Sequence, residues 1–183
     1  MRVISGKLKG RMLKGYDIDG TRPTMDRVKE SVFASIQDYL EDAIVLDLFA
    51  GSGNLGIEAI SNGASKAYFV DWNKICIRAI NDNIKMLRIE DECVVINKDY
   101  KAALKNFREK NIKFDIIFID PPYKDNIKNE LLELILKYDI VNDNGIIVFE
   151  YQNDEELNNS GKFEMLNSKK YGDKYVSIYQ RNV

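Results

Sequence analysis

The stretch "AIVLDLFAGSGNLGIEAISNG", residues 43–63, joins a run of strand-forming residues to a glycine turn and then to a helical pattern. Its glycines at positions 51, 53 and 56 fit the spacing G-x-G-x-x-G, in which a parallel strand turns tightly into a helix. Such a turn suits several nucleotide-like cofactors, and in some proteins it is only a tight turn. The stretch therefore predicts the first strand and crossover helix of an open α/β sheet.

Apolar runs and helical patterns alternate along most of the chain after this stretch. Continuous apolar strands separated by long helices indicate a parallel sheet covered on both faces. Near the end, two strand patterns flank a Gly172-Asp173 turn. We therefore expect a doubly wound sheet with a terminal hairpin. The expected strands are residues 43–50, 66–71, 92–99, 114–120, 145–151, 162–172 and 174–181, and the expected helices are 21–40, with Thr24 as N-cap, 54–63, 73–89, 101–110, 127–140 and 154–157.

Composition excludes several classes of protein. The chain has 183 residues, which is the size of one domain with a sizeable core. It has no histidine, and Cys76 and Cys93 are far apart, so we expect neither a zinc site nor a disulfide framework. There is no apolar run of 18 residues and no signal-peptide pattern, which favours a cytoplasmic protein without membrane association.

The first 15 residues, "MRVISGKLKGRMLKG", carry five basic residues and no acidic one. The remaining chain then has a net charge of −7 against −2 for the whole. We expect a basic β-hairpin arm over residues 1–20 that contacts RNA through Lys7, Lys9 and Arg11, and a catalytic domain over residues 21–183. Arg22 is a further candidate contact, although a structural salt bridge explains it equally, and the arm could be an ordinary solvated hairpin.

Two carboxylates suggest which cofactor the glycine turn binds. Asp47 lies four residues before the first glycine, where it would repel a pyrophosphate but attract a positive sulfonium, as in S-adenosylmethionine. Asp71 ends the next strand and could accept hydrogen bonds from both ribose hydroxyls, although it could also be an N-cap. Asp99 could accept from the adenine amino group or cap a helix. We expect the turn itself, Ala50, Gly51, Gly53 and Asn54, to line the cofactor.

The segment "FDIIFIDPPYKD", residues 114–125, ends a buried strand on Asp120 and continues with two prolines and a tyrosine. Pro121 and Pro122 stiffen the loop and lack amide donors, so that the Pro121 carbonyl stays available as an acceptor. With the Asp120 carboxylate it could hold the two hydrogens of a planar amino group, while Tyr123 stacks on the base. The segment therefore indicates methylation of a nucleobase amine, although a chance proline-rich loop remains an alternative.

Four ordered blocks, "RVISGKLKGRML", "TRPTMDRVKESVF", "LDLFAGSGNLGIEAISNGA" and "FIDPPY", resemble the RsmD-type bacterial methyltransferases. These enzymes methylate guanine N2 in small-subunit (16S) ribosomal RNA. The resemblance covers essentially the whole chain. It implies a Rossmann-like methyltransferase sheet of seven mostly parallel strands, with the last strand antiparallel, and a target equivalent to guanine 966, within a small ribosomal subunit or its assembly intermediate. It also implies that Asp47, Gly51 and Gly53 contact S-adenosylmethionine, Asp71 the ribose and residues 120–123 the guanine.

Three other functions stay open at this stage. The first is methylation of another planar amino group, that of DNA adenine N6 or of protein glutamine, because an Asp-Pro-Pro-Tyr segment suits any such group. The second is an NAD-dependent oxidoreductase, which the lack of histidine disfavours. The third is an RNA-binding module without activity.

Overall fold

The computed structural model describes residues 1–15, 26–122, 127–152 and 161–182. The helices are α1 (Asp26–Ser35), α2 (Asn54–Ser61), α3 (Lys74–Leu87), α4 (Tyr100–Glu109) and α5 (Lys128–Tyr138), with short 3₁₀ turns at Gln37–Tyr39 and Glu90–Glu92. The strands are β1 (Ile44–Asp47), β2 (Lys66–Asp71), β3 (Cys93–Asn97), β4 (Phe114–Ile119), β5 (Val141–Tyr151), β6 (Phe163–Tyr171) and β7 (Lys174–Arg181). The expected Thr24 cap and the helix at 154–157 lie outside the described residues.

All seven strands form one sheet in the order β3-β2-β1-β4-β5-β7-β6. Pairs among β1 to β5 are parallel, whereas β7 is antiparallel to both of its neighbours. This confirms the doubly wound sheet with an antiparallel last strand. The order reverses between β1 and β4, and in open α/β sheets ligands bind outside the carboxyl ends of the strands at such a point.

Helices cover both faces of the sheet, which explains why the strands read as continuous apolar runs. Residues that alternate along β1 separate between two buried clusters, with Val45 packed under α1, α2 and α3 and Leu46 under α4 and α5. Phe69 and Phe118 join the first cluster, and Ile117 joins the second. Both layers thus hold the strand ends rigidly in place for a site at their carboxyl edge.

The first 15 residues pack onto the domain. Val3 and Leu13 are buried in the cluster beneath α1 and α2, and the Lys7 amide donates to the Ser61 carbonyl at 2.8 Å. The expected regular β-hairpin is not confirmed, because the strand pairing within residues 1–15 is an isolated antiparallel bridge between Arg2 and Met12. Burial of Val3 and Leu13, together with bonds to α2, explains why this segment lies on the helix layer.

Among the described residues, no group of three or more His, Cys, Asp or Glu side chains could hold a metal ion. In the same ranges no helix is both long enough and apolar enough to cross a membrane.

Candidate functional site

Three carboxylates meet at the carboxyl edge of the central strands. Asp47 is the last residue of β1 and Asp71 of β2, and Asp120 follows β4 directly. The register pairs Asp47 with Phe69 on one side and with Phe118 on the other, so Asp71 and Asp120 each lie two residues beyond Asp47 on the neighbouring strands. The register therefore places all three residues at one edge of the sheet, and their roles in binding stay predictions.

The turn between β1 and α2 needs its glycines for two different reasons. Gly51 and Gly53 have φ angles of 58° and 84°, which residues other than glycine rarely adopt. Gly56 has no such strain, but a Cβ there would lie 2.3 Å from the Phe69 ring. The first two glycines therefore shape the turn, and the third allows α2 to approach β2 closely.

Asp71 fixes this turn from the neighbouring strand. Its Oδ2 accepts the Gly51 amide at 3.0 Å, and its Oδ1 accepts the Asn73 amide at 2.9 Å. Burial raises the pKa of this carboxyl, while the amide bonds partly offset that rise. Each carboxylate oxygen can accept a second hydrogen bond. The Cys76 thiol and the Trp72 amide also donate toward this carboxylate, so the hydroxyl groups of a ligand would share its oxygens with these donors or replace the weak thiol contact.

Asp47 is a buried carboxyl in the floor of the site, with 2% of its surface exposed. Its Oδ2 accepts the Gly56 amide at 3.0 Å. Burial raises the pKa of Asp47 to about 7, the Gly56 bond lowers it in part, and the nearby Asp71 raises it. A cation beside this group would be stabilised by the ionised carboxylate, whereas an anion would be repelled.

A buried lysine beneath the turn was missed by the sequence analysis. Lys29 of α1 donates to Asn54 Oδ1 at 2.7 Å and to the Arg2 carbonyl at 2.6 Å, and its Nζ lies 3.1 Å from Glu58 Oε2. Glu58 in turn accepts the backbone amides of Ile4 and Ser5. Lys29 and Glu58 thus join the N-terminal segment, α1 and the start of α2 in one ionic network.

A signal for Lys29 was present in the sequence. It lies three, four and seven residues before Val32, Phe33 and Ile36, and therefore on the apolar face of α1. A charge on that face indicates a buried partner, although its identity could not be read, since Glu58 is far away in the chain.

Asn54 supplies a buried donor to the site. Lys29 occupies its oxygen, and its Nδ2 is the one buried side-chain nitrogen or oxygen atom of the described residues that has no hydrogen-bond partner. A buried donor without a partner is costly unless a ligand accepts from it. The residue begins α2, directly after the glycine turn. An acceptor group of a bound cofactor would fit this donor.

The other residues that were predicted to line the site differ in burial and in the contacts they make. Ala50 is buried in the turn, and its amide donates to the Val70 carbonyl at 3.0 Å. Asp99 is exposed and caps α4 by accepting the Lys101 amide at 2.9 Å, so its adenine role stays a prediction. Asp120 is partly buried, Pro121 is buried and Pro122 is exposed. Tyr123 and Arg22 lie outside the described residues.

The basic side chains of the N-terminal segment lie on the surface. Lys7 forms an ion pair with Glu92 at 2.5 Å, and Arg11 Nη2 donates to the Met86 carbonyl at 3.3 Å. Lys9 is exposed beside them. The three side chains face solvent together, and their contact with RNA stays a prediction.

Several known proteins are similar to this chain over nearly its whole length. The family model described as "Conserved hypothetical protein 95" matches residues 1–180. The "Putative rRNA methyltransferase YlbH" of Bacillus subtilis is 41% identical over 182 residues, which are 99% of each chain. The "Ribosomal RNA small subunit methyltransferase D" of Haemophilus influenzae is 33% identical over 181 residues, 98% of this chain and 93% of that protein.

A solved structure shows the same fold. The "Putative methyltransferase yhhF from Escherichia coli" superposes with a TM-score of 0.86 at 26% identity, covering 100% of this chain and 98% of that one. These relatives and the solved structure therefore match this chain over nearly its whole length. The chain belongs to the Conserved hypothetical protein 95 family, that of the RsmD-type methyltransferases.

Proposed function

We propose that this protein transfers a methyl group from S-adenosylmethionine to the exocyclic N2 amine of a guanine in small-subunit ribosomal RNA. The proposal rests on the arrangement of three carboxylates around the glycine turn. Asp71 accepts the Gly51 amide, the buried Asp47 accepts the Gly56 amide, and Asp120 follows the neighbouring strand two residues beyond the partner of Asp47. The names of the relatives support ribosomal RNA as the substrate class. The target equivalent to guanine 966, and a small ribosomal subunit or its assembly intermediate as substrate, belong to the same proposal.

The cofactor supplies an activated methyl group on a positive sulfur, and three residues of this chain fit its chemistry. Asp71 would accept the two ribose hydroxyls, in competition with the Cys76 thiol, which is the weakest of its present donors. Asp47 offers a negative charge that favours a sulfonium over a neutral thioether. Asn54 directs its buried Nδ2 donor at an acceptor of the bound molecule, which would relieve the cost of the missing hydrogen bond.

Asp120 and the Pro121 carbonyl would hold the two hydrogens of the guanine amine. The nitrogen lone pair is normally delocalised into the ring, and two acceptors favour the geometry that releases it toward the methyl group. The nitrogen–methyl bond then forms as the sulfur–methyl bond breaks, and the proton of the resulting ammonium passes to an acceptor or to water. Orientation of the two reacting groups can supply several kcal/mol of the acceleration in such a step.

The experiment uses purified protein, S-adenosylmethionine with an isotopically labelled methyl group, and three substrates: naked 16S RNA, small subunits and double-stranded DNA. Nucleosides are then separated by mass spectrometry. We expect label in N2-methylguanosine from the RNA samples. Label in N6-methyldeoxyadenosine from the DNA, or in a glutamine of the ribosomal proteins in the small-subunit sample, would establish the alternative substrate and overturn the guanine assignment.

A matched pair of variants tests the proposed amine clamp. Asp120→Ala removes an acceptor and should reduce turnover much more than cofactor affinity, whereas Asp120→Asn keeps one acceptor oxygen and should be milder. Parental turnover in Asp120→Ala would show that the clamp is not used.

A further inference from the structure

A pair of stacked tyrosines lies at the carboxyl end of β5, where the reaction described above does not use it. Tyr151 ends β5 and is paired in register with Tyr175 near the start of β7. Their ring centroids are 5.5 Å apart, and the planes differ by 11°. The Tyr151 hydroxyl and Ser177 Oγ are hydrogen-bonded at 2.7 Å, and Ser177 donates to Ser168 at 2.8 Å. The Tyr151 ring is therefore held in a fixed orientation.

Two lysines flank this pair. Lys128 Nζ lies 3.5 Å from the centroid of Tyr151, and Lys170 Nζ lies 5.4 Å from that of Tyr175. Lys128 is buried, whereas Lys170 is exposed on β6 opposite the partly exposed Tyr175. A flat aromatic face beside a mobile cation is the arrangement that binds bases and phosphates of single-stranded nucleic acid.

The tyrosine pair lies at the carboxyl end of the strand next to β4, on the side away from the cofactor turn. Ile119 of β4 pairs with Phe149 of β5, so the same register continues toward Pro121 beside Tyr151. Tyr175 is one strand further out, which places it about 10 Å from β4 at a strand spacing of roughly 4.8 Å. About three nucleotides at about 3.4 Å each cover that distance.

We propose that Tyr175, held in place by its stacking on Tyr151, forms with Lys170 a platform for a nucleotide that flanks the target guanine in a single-stranded RNA loop. The inference rests on the proposed function, because it extends the RNA path from Asp120 outward across β5, β7 and β6. Loop RNA is the fitting partner because its unstacked bases can lie on an aromatic ring while a lysine meets the adjacent phosphate.

The neighbouring lysine provides a matched control. Lys169 and Lys170 are both exposed on β6, but Lys169 pairs with Val176, whose side chain belongs to the opposite face of the sheet. Lys169→Ala and Lys170→Ala therefore remove the same charge from the same strand on different faces. Tyr175→Leu removes the aromatic ring while keeping an apolar side chain, and it leaves the Tyr151 to Ser177 bond in place.

The test measures affinity by fluorescence anisotropy at several salt concentrations, with a stem–loop RNA oligonucleotide spanning the guanine 966 equivalent. We expect Tyr175→Leu to bind about 5- to 30-fold more weakly. Lys170→Ala should reduce the slope of log affinity against log salt by about 0.7, whereas Lys169→Ala should match the parent. Titrations with S-adenosylmethionine should give parental affinity for all three variants.

The possible failures are distinguishable. If the parent methylates this RNA but Tyr175→Leu binds it with parental affinity, or if the two lysine variants have equal slopes, the platform is wrong and the proposed function stands. Should Tyr175→Leu fail to fold, the lysine pair alone decides. If the parent neither binds nor methylates the RNA, the proposed function is wrong and the platform fails with it.

Discussion

Asp47 shows how one buried residue links the fold to pH. Its pKa is about 7 in the folded protein against an ordinary value of 3.8, so the folded state keeps a proton that the unfolded chain has released. The stability that depends on this proton is fully present below about pH 4. It is lost as the pH rises toward 7, because the carboxyl must then ionise in a buried place.

We therefore expect Asp47→Asn, which keeps an acceptor oxygen for the Gly56 amide, to gain stability relative to the parent as the pH rises. The difference in unfolding free energy, variant minus parent, should grow by about 1–3 kcal/mol between pH 5 and pH 8. Urea denaturation at both pH values measures it. A difference that stays constant with pH would mean that Asp47 is ionised in the folded protein throughout this range.

The same carboxyl should distinguish the cofactor from its product by charge. S-adenosylmethionine and S-adenosylhomocysteine share the amino acid and nucleoside groups, but the first carries a sulfonium and the second a neutral thioether. We expect the preference for S-adenosylmethionine to rise between pH 5.5 and 8.5, on the order of tenfold, as Asp47 ionises.

Fluorescence provides the measurement, because the chain's one tryptophan, Trp72, is 69% exposed and directly follows Asp71. Titrations of both ligands across the pH range give the ratio of affinities. Asp47→Asn should abolish its pH dependence while still binding both ligands. A parental ratio that does not change with pH would place the sulfonium away from Asp47.

The bounds of helices and strands could be predicted where the local pattern of apolar and polar residues determines them. The strand at residues 66–71 has its expected bounds, whereas β5 begins at Val141 instead of residue 145. Its polar start, "VNDNG", reads as a turn, but Val141 pairs with Phe114 and extends the strand. Helix α1 is also shorter than expected, because the chain after Ser35 forms a 3₁₀ turn at Gln37–Tyr39.

Site residues at the ends of strands could be predicted from the sequence. Residues whose position depends on contacts with distant parts of the chain could not. Asp47, Asp71 and Asp120 could be placed together because parallel strands bring their carboxyl ends to one edge. Lys29 could not be placed in the core, because a buried charge depends on a partner, here Glu58. Likewise, the packing of the N-terminal segment on α2 depends on contacts between residues more than 50 positions apart.

Gly6 and Gly10 of the N-terminal segment allow the effect of backbone strain on stability to be distinguished from the effect of packing against α2. Gly6 and Gly10 have φ angles of 79° and 83°. A Cβ at Gly6 would lie 1.9 Å from the Ser61 carbonyl oxygen, whereas one at Gly10 would meet nothing within 4 Å. Both substitutions to alanine therefore strain the backbone, but only the one at Gly6 forces the segment away from α2.

We expect Gly10→Ala to cost about 1 kcal/mol of unfolding free energy, from the left-handed backbone alone. Gly6→Ala should cost about 2–4 kcal/mol, because it also breaks the bonds from Lys7 and Leu8 to Ser61. Chemical denaturation of the two variants gives the comparison. Equal losses would show that the contact with α2 contributes nothing to stability.

At the scale of the whole molecule, the proposed function requires a chain with a net charge of −2 to bind a polyanion. The N-terminal segment offers a local exception, with Lys7, Lys9 and Arg11 exposed together. Lys7 is paired with Glu92, but exposed pairs are worth about 0–1 kcal/mol, so a phosphate can compete with that carboxylate. RNA affinity should therefore depend on where the cations are, more than on the overall charge.

The last prediction tests that statement with two triple variants of equal charge. Replacing Lys7, Lys9 and Arg11 by alanine should flatten the slope of log affinity against log salt by about 2 units, at roughly 0.7 per phosphate contact with single-stranded RNA. The control replaces Lys105, Arg108 and Lys110, which are exposed on and just after α4, across the sheet from the N-terminal segment. It removes the same three charges and should leave the slope unchanged, because diffuse charge alone forms no phosphate contact. Equal slopes for the two variants would show that the N-terminal segment makes no specific contact with RNA and serves only to cover α2.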